Sequence, residues 1–158
     1  MSQIDQSKEI TFKIHKAVFL LDKMCDQILQ DRLGLGFSQF LVLMTLAGMP
    51  KAPQKSVAKS LDQTQAAVSR QLDLLVDQGY VSRERNPDSR REYVLSLTKS
   101  GEKKFRQGLS EIDQRYDKLF QIWKKDEKNN LLGCLDKLLL EIRTKGVKKI
   151  CGETEKSR

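Results

Sequence analysis

The rhythm of apolar residues in this 158-residue chain changes once and then changes back. Up to Gly79, apolar side chains recur at helical spacing. From Tyr80 to Leu97 the pattern turns extended, with Tyr93, Leu95 and Leu97 alternating with Val94 and Ser96 behind a turn cluster, Asn86-Pro87-Asp88-Ser89. From Thr98 the helical spacing returns. A single hairpin set among helices confines the chain to a mainly α fold with one small β element.

The helices can be placed by their stripes and caps. Ile10, Ile14, Val18, Leu21, Cys25 and Ile28 fall three or four residues apart, one stripe on a long first helix over residues 7–30. Gly34 and Gly36 end it, and Ser38 is the expected cap of a second helix that carries Phe40 to Leu46 and stops near Gly48 and Pro50. Pro53 suits the first turn of a short third helix, whose inward face is Val57, Ala58 and Leu61. Thr64 caps a fourth, with Ala67, Val68, Leu72 and Leu75 on one side and Gly79 at its end. Thr98 caps a fifth that carries Phe105, Leu109, Ile112, Tyr116, Leu119 and Trp123. Asp126 caps a sixth, faced by Leu131, Leu135, Leu138, Leu139 and Ile142.

Charge narrows the partner. The chain carries a formal +8, but residues 1–50 hold five cations and five anions, and residues 107–142 six and seven. The excess lies in residues 51–106, with twelve against seven, and in 143–158, with six against two. A basic middle between neutral, apolar-striped flanks points to a polyanionic partner for the middle and a pairing role for the flanks. No apolar run approaches the roughly 18 residues of a membrane span, and the N-terminus lacks the apolar core of a secretory signal, so a cytoplasmic protein without membrane contact is expected. Cys25, Cys134 and Cys151 are too far apart for a disulfide framework or a CxxC half-site, and the chain has a single histidine, His15. No metal, cofactor or catalytic constellation is expected: there is no phosphate-cradling glycine loop, no paired carboxylates with a companion base, and no Cys/His or Ser/His pair at workable spacing.

Helix, short turn, helix and hairpin between residues 38 and 98 make the layout of a winged helix-turn-helix. A helix about 10–12 Å across fits the major groove of B-DNA, and a hairpin tip can reach the minor groove beside it. With its apolar side turned inward, the fourth helix presents Gln65, Ala66, Ser69 and Arg70 outward. Gln65 and Arg70 can read base edges, Thr64 and Ser69 can bond phosphates, and Ala66 permits close approach. Adjacent Arg90 and Arg91 at the wing tip suit phosphate or minor-groove contact. Arg83 and Arg85 have two readings, DNA contact or pairing with Glu84, Glu92 or Asp88. Arg70 likewise faces DNA or is tied to Asp73 or Asp77.

The stretch LDQTQAAVSRQLDLLVDQGYVSRERNPDSRREYVLSLTKSG resembles the MarR family of bacterial transcriptional regulators. The family's T-x-x-x-V-S-R recognition helix is matched by Thr64 and Val68-Ser69-Arg70, its G-[LYF]-[VI] step by Gly79-Tyr80-Val81, its charged wing tip by Asn86 to Arg91, and its closing L-T-x-x-G by Leu97-Thr98 with Gly101. The pattern departs in one place. The acid expected just before the two wing arginines is Ser89 here and lies one residue earlier, at Asp88, so either Asp88 supports Arg90 or Arg91 takes the minor-groove role.

The resemblance implies a homodimer joined by the terminal helices and presenting two winged heads to a pseudo-palindromic double-stranded operator. It implies a division into residues 1–34 (N-terminal dimerisation helix), 35–100 (winged helix-turn-helix), 101–146 (C-terminal dimerisation helices) and 147–158 (basic tail). It also implies a small-molecule effector, phenolic or otherwise amphipathic, in a pocket that Phe12, His15, Phe19, Phe37 and Phe40 could line; the same aromatics serve equally as core. A repressor released by such a ligand is the leading expectation. The alternatives are an adaptor that binds DNA without ligand response, and a redox sensor acting through Cys25.

Overall fold

The structure is a computed structural model, and it describes the backbone of residues 3–86 and 89–150 and the side chains of residues 6–86 and 92–145. The chain divides into two compact units, residues 1–115 and 116–158. The first holds helices α1 (Gln3–Leu33), α2 (Phe37–Gly48), α3 (Gln54–Ser60) and α4 (Gln65–Asp77), with strands β1 (Ala52–Pro53), β2 (Val81–Asn86) and β3 (Ser89–Leu97). Helix α5 (Lys99–Phe120) carries the chain into the second unit, which continues with α6 (Lys125–Ile150). The fold is mainly helical with a small antiparallel wing, as the change of rhythm at Gly79 required.

The core of the first unit forms where three short helices turn their apolar sides together. Val42, Leu43 and Leu46 of α2, Val57 and Ala58 of α3, and Val68, Leu72 and Leu75 of α4 form one buried cluster, closed by Val81 and Leu95 of the sheet. Each fully buried Leu or Val contributes about 1.5–3 kcal/mol relative to exposure. Thr64 caps α4 as expected, its Oγ1 accepting the Ala67 N–H at 3.2 Å. At the other end Gly79 has φ +73, a left-handed conformation that lets its N–H reach the Val76 carbonyl and the Tyr80 N–H reach that of Leu75, both at 2.9 Å. This Schellman closure turns the chain out of α4 and into β2.

The sheet has three strands in the order β1-β3-β2, all antiparallel. Strand β1 was not expected. Two residues are too few to show a period, and Ala52 and Pro53 become a strand only by pairing with Leu95 and Val94 forty residues on. Pro53 also stands at the N-cap of α3 with extended ψ, which reconciles its place in a strand with its place before a helix.

Two caps differ from the sequence reading. Helix α2 begins one residue before Ser38, with Gly36 at its N-cap. The Gly36 N–H donates to Gln39 Oε1 at 2.9 Å and the Phe37 N–H to Asp26 Oδ1 at 2.7 Å, so a carboxylate on α1 does the work assigned to the Ser38 hydroxyl. In the second unit α6 begins at Lys125, one residue before Asp126, and the Lys124 N–H donates to Glu127 Oε2 at 2.7 Å. Helix α5 stops at Phe120, so Trp123, expected on that helix, falls instead in the turn before α6, where its ring meets that of Phe120 edge to face at 5.9 Å. Helix α6 runs past Gly146 to Ile150, and the rest of the expected basic tail, 151–158 with Cys151, lies outside the described residues. None of the described helices is long and apolar enough to cross a membrane.

The base of the wing is closed by Thr98. Its N–H donates to the Tyr80 carbonyl at 3.0 Å, and its Oγ1 donates to the Gly79 carbonyl at 2.7 Å while accepting the Gly101 N–H at 3.0 Å, which caps α5. Gly101 is required by the closeness of this joint, because a Cβ there would stand 2.0 Å from the Tyr80 carbonyl oxygen. Gly101→Ala must therefore move backbone against backbone, and the expected result is a loss of about 2–3 kcal/mol in unfolding free energy, measured by urea denaturation at matched protein concentration.

Candidate nucleic-acid interface

Burial of Val68, Leu72 and Leu75 fixes the roll of α4 about its axis, and the roll decides which side chains face solvent. Thr64, Gln65, Ala66 and Arg70 are exposed, and Ser69 is half-buried. The side chains expected to read or grip DNA thus share one face at the N-terminal end of the helix. Asp73, one turn along the same face, is not paired with Arg70. Its Oδ1 lies 2.8 Å from Arg83 Nη2 on the wing.

On the wing, Val81, Arg83 and Arg85 point to the side that carries their cross-strand partners Leu97, Leu95 and Tyr93. The face runs from core to surface, so Val81 and Leu95 are buried while Arg85 and Tyr93 are exposed. The guanidinium carbons of Arg83 and Arg85 stand 5.8 and 5.0 Å from the centre of the Tyr93 ring. The register shifts between Arg85 and Asn86, where one step along β2 spans Tyr93 to Ser89 on β3. Arg90 and Arg91 belong to β3, but their side chains lie outside the described residues, as does Asp88 altogether. The choice between Arg90 and Arg91 falls there too.

A groove of about 230 Å³ opens where the start of α3, the start of α4 and the wing converge. Gln54 and Lys55, Gln65, and Glu92 and Tyr93 line it with Pro53. Gln54 and Lys55 do not stand out in the sequence, and Tyr93 stands out there only as part of the strand alternation. Lys55 reads as one more lysine on a short helix, and only the tertiary fold sets it beside Gln65.

The five residues considered for an effector pocket are not gathered in the single chain. Phe40 is buried in the core, stacked on Phe105 at 5.8 Å and pressed against Gly108, where a Cβ would meet the ring at 2.5 Å. Phe37 is half-buried at the start of α2. Phe12, 70% exposed, and His15 share a shallow groove along α1 with Ser7, Lys8 and Thr11, and Phe19 is 60% exposed with Lys16 Nζ 5.9 Å from its ring centre. Cys25 has no exposed surface, whereas Cys134 is exposed on α6, and neither is in a disulfide. Among the described residues no group of three or more His, Cys, Asp or Glu side chains could hold a metal.

A recognition helix with its polar face out, packed beside a two-stranded wing, defines the winged helix-turn-helix class of DNA-binding domains. The sequence model of the MarR family matches residues 33–92, from the end of α1 into β3. HTH-type transcriptional regulator BilQ of Clostridium symbiosum (strain WAL-14163) is 27% identical over 133 residues, covering 82% of this chain and 91% of that protein. Among solved structures, wild-type MarR of E. coli in its apo form superposes with a TM-score of 0.74 at 27% identity, over 82% of this chain and 95% of that one. A cysteine-to-serine mutant of E. coli MarR complexed with operator DNA gives 0.75 at 25% identity, over 88% and 99%. The winged segment of the chain thus matches the MarR family model, and the chain is similar in sequence and fold to MarR-type transcriptional regulators.

The packing around Phe40 yields a test of whether that ring serves core or ligand. Phe40→Ala is expected to cost about 3–5 kcal/mol of stability in denaturant unfolding, the range for deleting a large buried aromatic.

Proposed function

We propose that the chain is a cytoplasmic, homodimeric repressor that binds a pseudo-palindromic double-stranded operator and is released by a phenolic or other amphipathic effector. The observation that carries the DNA reading is the exposed edge of Thr64, Gln65, Ala66, Ser69 and Arg70 on α4, held beside a wing whose Arg85 is exposed. In this reading Gln65 and Arg70 meet base edges in the major groove, Thr64 and Ser69 bond phosphates, and Arg85, Arg90 and Arg91 serve the wing's contact with the flanking minor groove, with Asp88 supporting the tip. A similar chain, the E. coli MarR mutant, is known as a complex with operator DNA, which supports the same use here.

Dimerisation is supported by apolar surface that nothing within either unit covers. On α1, Ile10, Phe12, Val18 and Phe19 are exposed, and on α6 so are Leu131, Leu132, Leu138, Leu139, Leu140 and Ile142. Helices are stabilised mainly by burying an apolar face, so surface of this extent calls for a partner helix. A second copy supplies one, and a two-fold pair of heads reaches successive major grooves about 34 Å apart. An effector would act by binding one spacing of the heads better than the other. The complete burial of Cys25 disfavours the redox alternative, because a thiol must be reached to be oxidised.

Selection of duplexes from a random pool tests the whole reading: the expected product is a palindrome whose half-sites lie about one helical turn apart. On that duplex, Gln65→Ala and Arg70→Ala should each cost about 1–3 kcal/mol and relax preference at the bases they face. Absence of any preferred sequence, or a sedimentation mass of one chain at micromolar concentration, would overturn the proposal. Gel shifts with a panel of phenolic compounds separate the ligand-responsive repressor from an adaptor, which no compound would release.

A further inference from the structure

Arg83 carries its charge from the wing to the recognition helix. The hairpin register puts it opposite Leu95 on the face shared with buried Val81, so its side chain starts toward the core and not toward solvent. Its side chain is 24% exposed, and the Nε and Nη2 atoms are buried. Nη2 stands 2.8 Å from Asp73 Oδ1, a close ion pair, yet neither nitrogen meets hydrogen-bond geometry with an acceptor among the described residues. Tyr93 flanks the guanidinium on the wing side. A half-buried guanidinium, incompletely bonded and paired with a carboxylate that is 54% exposed, is a poor source of stability, and such a pair is better explained by the arrangement it specifies.

Asp73 gives that arrangement a purpose. It continues the DNA-facing edge of α4, four residues beyond Ser69 and three beyond Arg70, and is 54% exposed. An unpaired carboxylate there would repel the phosphates its neighbours are placed to meet. Paired, it becomes an anchor on the recognition helix for a cation on the wing.

We propose that Arg83 is a positioning residue: pinned to Asp73, it fixes the angle between the wing and α4, and so the separation of the major-groove and minor-groove contacts the head can make together. The proposal rests on the DNA-binding reading above and reassigns Arg83 within it. It also gives the ion pair a consequence for specificity, since a wing held at one angle favours operators whose flanks lie where that angle delivers its tip.

The test is a charge exchange in the full-length protein, read in two ways. Affinity for the selected operator is measured over a salt series for Arg83→Ala, Asp73→Arg, Asp73→Asn and the double variant Arg83→Asp with Asp73→Arg. Arg83→Ala, Asp73→Asn and Asp73→Arg should each weaken binding, by roughly tenfold for Asp73→Arg, and the exchanged pair should recover most of the loss. The slope of log K against log salt for Arg83→Ala should match the parent, because no phosphate contact is lost. Tighter binding by Asp73→Arg, a slope shallower by about one for Arg83→Ala, or no recovery in the exchanged pair would each overturn the proposal, the first two by showing that charge near phosphate is what matters. Hydrogen exchange without DNA supplies the second reading: β2 amides should lose protection in Asp73→Asn and regain it in the exchanged pair. Unchanged protection in Asp73→Asn overturns the strut by itself. If the parent selects no duplex, the DNA reading fails while the exchange measurement still decides whether the strut exists. Asp73→Asn keeps the shape of the side chain, so the outcome does not depend on the folding of the charge-reversed variant.

Discussion

The carbonyl of Tyr80 is the point through which the winged domain is joined. Its oxygen accepts the Thr98 N–H, while the Thr98 hydroxyl takes the carbonyl of Gly79 and the amide of Gly101, so three segments meet within two residues' reach of one peptide group. On one side is the end of α4, on the second the base of the hairpin, on the third the first turn of α5. Gly101 lets that third segment come close enough for the bonds to form. The wing therefore leaves the domain from a fixed point with a fixed direction at its base. What that joint cannot set is the attitude of the hairpin several residues further out, where the Arg83 to Asp73 pair and the Tyr93 ring take over.

The same joint explains a motif. Leu-Thr-x-x-Gly looks from sequence like a strand ending in a helix cap, and it is that, but each residue type answers a separate demand. The threonine must both donate and accept, which an aspartate cap could not do. The glycine is set by contact and not by conformation, since its neighbour is a backbone atom that cannot move aside. Lys104, one turn further along α5, adds a tie of a different kind: Nζ donates to the Leu33 carbonyl at the end of α1 at 3.1 Å and stands 5.2 Å from the centre of the Tyr80 ring. A change at the end of α1 thus has a direct physical route to the base of the wing.

Much of this architecture was legible because it is local. Helix α4 declares itself through Thr64, the spacing of Val68, Leu72 and Leu75, and Gly79, all within sixteen residues, and the outward side follows from the inward one. Features that needed distant partners were hidden. Strand β1 exists only against β3, the α2 cap borrows Asp26 from eleven residues upstream, and Gly36 rather than Ser38 occupies the cap position because that carboxylate is there. Arg83 shows the limit most clearly. The acids nearest to it in the hairpin, Glu84 and Glu92, looked like its natural partners, but strand alternation turns Glu84 to the opposite face and the register delivers Arg83 to α4.

Net charge illustrates the difference between a field and a contact. The excess of five cations over residues 51–106 marks the winged segment as the one that should face a polyanion, because a long-range potential depends on sums. The sum does not say which cations are available. Within that segment Arg83 is committed to Asp73 and Lys104 to the end of α1, and Arg106 lies 3.7 Å from Glu102, whereas exposed Lys55 sits in the groove beside Gln65 without having stood out in the sequence. Pairing removes little from the distant field, since the charges remain within a few ångströms of where they were, yet it removes a side chain from the pool that can follow a phosphate. A basic stretch can consequently steer DNA to the right face with all of its charges while gripping it with a minority, and the identity of that minority is settled by strand register and helix roll rather than by composition.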